Sequence, residues 1–121
     1  MAATLNPAYV SRNNLRQWPI DATEGLIRRR RFYHEDFRNT AIQRQRPLWN
    51  RISNLIFNQY YFNVNKDQCH NKWNALVLGY ENLKLISSGV QTDRTLSIYD
   101  WLFHNELSDE FWKITGNYLI I

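Results

Sequence analysis

The sequence predicts an all-α fold: a bundle of three helices with a fourth amphipathic helical element after them. Two observations point there. Apolar residues recur at three-to-four spacing in successive stretches, the signature of helices with one buried face. Only four Gly and three Pro punctuate 121 residues, too few for a strand-rich topology with its many turns. The expected layout is a flexible arm over residues 1–17, a three-helix domain over 18–86 and a fourth helical element over 96–114.

The arm shows no apolar periodicity and is rich in Asn, Ala, Ser and Arg. The first helix is expected over 21–38, with Asp21 and Glu24 at capping-box spacing. Ala22, Leu26, Arg29, Tyr33 and Phe37 follow on one side, and Trp18 folds back from in front of the cap. Pro47 opens the second helix, where its missing N–H costs nothing. Leu48, Trp49, Ile52, Leu55 and Ile56 are its stripe, and it ends near 58–61. Asn65 caps the third helix, with Gln68 placed to reach back. Cys69, Trp73, Leu76, Val77 and Tyr80 form its inner face, and Ser87-Ser88-Gly89 closes it. Residues 90–95 read as a loop. The fourth element is densely apolar (Leu96, Trp101, Phe103, Leu107, Phe111, Trp112), with a break expected near 105–108. It must pack back on the first helix or meet another chain. The expected core is Trp18, Leu26, Phe37, Trp49, Ile52, Trp73, Leu76 and Tyr80.

Hydrophobic residues make up 44% of the chain and aromatics 15%. That suffices for one compact core and is too much for a disordered chain. No apolar run reaches the roughly 18 residues of a membrane span, and the first residues lack the pattern of a secretory leader. The one cysteine, Cys69, is expected in the core as a small hydrophobe.

The net charge is +4, unevenly spread. Residues 18–86 are strongly basic, while beyond them Asp93, Asp100, Glu106, Asp109 and Glu110 outweigh Arg94 and Lys113. A basic front suits a polyanionic partner met on one face.

Catalysis finds no footing. His34, His70 and His104 are dispersed and no Cys pair accompanies them, so zinc spacing is absent. No phosphate-cradling glycine loop or nucleophile elbow is present. His34, Glu35 and Asp36 are consecutive, so on a helix they point apart. An enzyme is not expected, and neither is a metal or cofactor.

The informative constellation is the outer side of the third helix. At 100° per residue, Asp67, His70, Asn71 and Asn74 share a stripe opposite the core face. Asn bonds bidentately to an adenine edge and His donates or accepts at base edges. This points to His70, Asn71 and Asn74 as base-reading residues. Lys66, Gln68 and Lys72 flank the stripe and are candidate phosphate contacts. Arg28-Arg29-Arg30-Arg31 spreads its charges around a helix, so one or two members, with Arg28 and Arg31 as candidates, contact phosphate or stack on a ring.

The blocks Trp18-Pro-Ile-Asp-Ala-Thr-Glu-Gly-Leu26-Ile27, Leu48-Trp49-Asn-Arg-Ile52-Ser53 and Asp67-Gln68-Cys69-His-Asn-Lys72-Trp73-Asn-Ala-Leu76 resemble the trihelix branch of Myb/SANT-like domains. The resemblance extends over roughly 18–112. It implies a helix-turn-helix type bundle with a core Trp from each helix, here Trp18, Trp49 and Trp73, and duplex DNA bound by the third helix. It also places the base-reading positions around the third Trp, on the same His70, Asn71 and Asn74. The chain departs at Tyr60-Tyr61-Phe62, where trihelix proteins often have a Gly-aromatic turn. The expectation is a nuclear, transcription-factor-like module that binds double-stranded DNA sequence-specifically. The alternatives are a SANT-like protein-interaction module, partnered by another protein or by a second copy through the C-terminal aromatic segment, and an accessory subunit of a DNA-modifying or transposition complex.

Overall fold

The computed structural model describes residues 17–89 and 98–114. The arm expected over 1–17, apart from Gln17, and the loop expected over 90–95 lie outside the described residues. Among those residues every element is helical: α1 (Ile20–Phe32), α2 (His34–Arg38), a 3-10 turn (Ile42–Arg44), α3 (Arg46–Tyr60), α4 (Lys66–Ser87), α5 (Ile98–Leu102), α6 (His104–Leu107) and a closing 3-10 turn (Phe111–Lys113).

The expected first helix is two. It starts one residue early, because Pro19 is the N-cap and its carbonyl accepts the Thr23 N–H at 3.0 Å and the Thr23 hydroxyl at 2.9 Å. Asp21, expected as the cap, sits inside the first turn and accepts the Ala22 N–H, where its charge suits the helix dipole. The helix then bends at Tyr33, whose φ of −92° and ψ of 11° leave the α region. Past the bend Phe37 packs on Trp49, ring centroids 4.9 Å apart.

α3 carries Pro47 in its first turn. Its N-cap, Gln45, spends its side-chain amide on the carbonyls of Phe37 and Thr40 at 3.0 and 3.1 Å, which ties the loop back to α2. The helix stops at Tyr61, which takes the left-handed conformation at φ 55°. For a residue with a Cβ that conformation costs roughly 1–2 kcal/mol. α4 opens with the expected capping box, the Asn65 side chain accepting the Gln68 N–H and the Gln68 side chain accepting the Asn65 N–H, both at 2.8 Å.

α3 packs on α4, and α1 packs across both. Trp18, Trp49 and Trp73 are all buried, as are Leu26, Phe37, Ile52, Leu76 and Tyr80. Helices approach closely where glycine permits. A Cβ at Gly25 would run into the Tyr60 ring, and one at Gly79 into the Asp100 carboxylate.

The C-terminal segment packs back on the bundle. Phe103, Leu107 and Phe111 are buried, and Trp73 lies 5.7 Å from Phe111 and 5.6 Å from Trp112 by ring centroids. Breaks at Phe103 and over Ser108–Glu110 divide it into three short pieces. Trp101 and Leu102 stay exposed.

Candidate nucleic-acid interface

Because Cys69, Trp73, Leu76 and Tyr80 of α4 face the core, the opposite side of that helix must face outward. Asn71 and Asn74 are both exposed there, and Asp67, Ala75 and Leu78 are exposed on the same side. His70 is different. It is half-buried, and its ring stacks on Trp49 with centroids 4.7 Å apart and planes 13° from parallel. Burial lowers its pKa, against an opposing pull from Asp67 and with a further push down from Arg30. A neutral imidazole leaning on the core offers an edge to a ligand, not a mobile charge.

Lys66 stands at the start of α4 and lines a groove of about 360 Å³ with Arg46, Pro47 and Asn50 from the first turns of α3. The groove joins the openings of two helices, and sequence reading missed its Arg46 and Asn50. The available signal was their place beside Pro47, one helix before the polar stripe. Gln68 has committed its Oε1 to the capping box, so only its amide N–H groups can serve a phosphate. Lys72 is half-buried; burial lowers its pKa while the nearby Asp100 raises it. It lies on the flank towards α5, beside the stripe.

The four consecutive arginines do four different things. Arg28 donates to the Tyr60 hydroxyl at 2.8 Å and Arg29 to Gln59 at 3.1 Å, both at the surface. Arg30 is buried, its guanidinium 4.1 Å from the Phe37 ring centroid. Arg31 donates to Asp109 and to the Glu106 carbonyl and lies 4.3 Å over Phe111. Held this way, Arg31 anchors the C-terminal segment, and its place over a ring is one of the two roles expected for a member of the run.

The acidic tail takes up further cations. Glu110 pairs with Lys84, accepts from the Tyr80 hydroxyl at 2.7 Å and meets Lys113 at 3.2 Å, while Lys113 also reaches Glu81 at 2.8 Å. Lys84 first, then Tyr80, hold the Glu110 carboxyl down to about 2. Arg31, Arg38, Lys84 and Lys113 are thus ion-paired. Arg28, Arg44, Arg46 and Lys66 are in none of these pairs, which leaves the positive field around α1, α3 and the opening of α4.

A family model for the Myb/SANT-like DNA-binding domain matches residues 15–109. The chain belongs to that family. No curated protein and no solved structure matches it. The Myb/SANT-like assignment accounts for the all-helical architecture and implies DNA as a partner. Domains of this family are generally not enzymes. Among the described residues no helix is long and apolar enough to cross a membrane, and no cluster of His, Cys, Asp or Glu could hold a metal.

Proposed function

We propose that this Myb/SANT-like domain, of the trihelix branch, binds duplex DNA sequence-specifically with α4 in the major groove and acts in the nucleus as a transcription-factor-like module. The observation that carries the reading is the outer face of α4: two exposed amides, Asn71 and Asn74, one turn apart on a helix whose other side is fixed by Trp73. Amides at that spacing can each meet an adenine edge. His70 supports them from the Trp49 side. Ala75 and Leu78 extend the face with small and aliphatic groups suited to a thymine methyl.

Lys66 and Arg46, on either side of the groove between the helix openings, supply phosphate contacts that set register. Arg28 and Lys72 add to them, and Gln68 contributes through its amide N–H groups. Such contacts carry affinity but no sequence information. Salt titration of binding tests this directly. Lys66→Ala is expected to weaken binding to every duplex and lower the salt slope by about one unit. An unchanged slope would remove Lys66 from the interface.

A protein-interaction role has one specific observation in its favour: Trp101 and Leu102 lie exposed on α5 beside a segment otherwise packed inward. Sedimentation with and without duplex separates the readings. A 1:1 complex with DNA supports DNA recognition, and a DNA-indifferent dimer supports the alternative.

A further inference from the structure

A row of stacked groups runs from the buried end of α1 to α4. The Arg30 guanidinium lies 4.1 Å from the Phe37 ring centroid. Phe37 packs on Trp49 at 4.9 Å, and Trp49 on His70 at 4.7 Å with planes 13° from parallel. His70 ends the row. It is half-buried, adjoins Asn71 and stands one turn before Asn74, the two exposed amides of the same helix.

The neighbours of the ring set its charge. α3 offers it the uncharged face of Trp49. α1 contributes the positive Arg30 and α4 itself the negative Asp67. Lys66, one turn back along α4, and Arg46, one turn before Trp49 on α3, are basic as well. Burial first, and Arg30 with it, disfavour the imidazolium, while Asp67 favours it; the pKa falls below the ordinary 6.5. A surface that meets a polyanion would gain from one more cation, yet this ring is held where charge is disfavoured. The neutral imidazole has what the imidazolium lacks, one nitrogen that accepts beside one that donates. Base edges display both donors and acceptors, whereas phosphate oxygens only accept.

We propose that His70 determines specificity in its neutral form, as an acceptor at a base edge, and that its protonation trades base reading for phosphate attraction. This rests on the reading of α4 as the DNA-facing helix. Linkage gives the sign. In a complex with its preferred duplex the ring is engaged as an acceptor, which opposes protonation. In a non-specific complex it meets phosphate, which favours protonation. The non-specific complex therefore takes up the proton at higher pH, and the ratio of specific to non-specific affinity falls as pH drops below 6.5. A difference of roughly one pKa unit between the complexes changes that ratio about tenfold. The other two histidines are engaged elsewhere, His34 with Arg30 and the Ile114 carbonyl and His104 on the Tyr80 ring.

The test uses the full chain, a duplex selected from a random pool and a scrambled duplex of the same composition, at about pH 8 and about pH 5.5. The scrambled duplex is expected to bind more tightly in acid, with a salt slope larger by about one unit. The affinity ratio is expected to fall about tenfold. His70→Gln, neutral throughout, is expected to keep one ratio at both pH values, and His70→Arg to bind the scrambled duplex tightly at both. If the variants fail to fold, NMR titration of the wild-type imidazole decides: the His70 pKa is expected to be higher in the scrambled complex than in the selected one. A pH-independent ratio in the wild type, the same fall in His70→Gln, or equal His70 pKa values in the two complexes would overturn the proposal and leave DNA recognition standing. Failure to select any duplex would remove base reading by α4, and this proposal with it.

Discussion

At the residue scale, the chemistry of α4 divides among three residues near Trp73. Asn71 and Asn74 stand in solvent, while His70 is spent partly on Trp49. Asn71→Ala and Asn74→Ala are therefore expected to relax base preference at single positions, by roughly 1–3 kcal/mol each, in competition binding against mismatched duplexes. Cys69 gives the opposite expectation. It is fully buried and burial pushes its thiol up to about 12. Thiol reagents at pH 8 should leave it unlabelled until the protein is denatured, and rapid native labelling would contradict its place in the core. Glu110 reports on acid stability. Its folded pKa, about 2, lies below its ordinary 4.5. The stability it contributes is thus present above 4.5 and is lost as pH falls from there towards 2. Acid titration of Glu110→Gln followed by circular dichroism should show a flatter decline over that window than the wild-type chain.

At the element scale, two backbone features make sharp predictions. Tyr61 is 83% exposed and left-handed, so its side chain returns little packing for its strain. Tyr61→Gly is expected to raise stability by about 1 kcal/mol, measured by urea unfolding; a loss would show that the ring contact with Phe57 outweighs the strain. Gly25→Ala sets a helix-propensity gain of about 1 kcal/mol against overpacking on Tyr60 of roughly 1–3 kcal/mol. It should destabilise in the wild-type chain and stabilise in a Tyr60→Ala background, where the obstruction is gone. How well the elements could be read from sequence follows the reach of the forces that define them. The α4 capping box and Pro47 in the first turn of α3 are local, and both were legible in the sequence. The bend at Tyr33 was not, because no Gly or Pro marks it. It coincides with long-range contacts of His34 and Phe37 to Ile114 and Trp49, which no window of sequence contains. The tail's ion pairs with Arg31 and Lys84 were hidden for the same reason: charge sums show the asymmetry between the two halves, not which cations are neutralised.

At the scale of the whole molecule, the acidic C-terminal segment sorts the cations of the chain. It engages Arg31, Lys84 and Lys113 and covers Trp73 with Phe111 and Trp112, while the basic groups around the α3 and α4 openings stay clear of it. On the proposed reading, the outer face of α4 meets DNA with a positive surround and a fixed inner anchor. Everything functional rests on that face reading base edges. The most direct measurement selects bound sequences from a random duplex pool with the wild-type chain and with Asn71→Ala. The wild type is expected to enrich a defined motif, and the variant to lose preference at one position of it. No enrichment by the wild type, or the same motif at uniformly lower affinity in the variant, would contradict it.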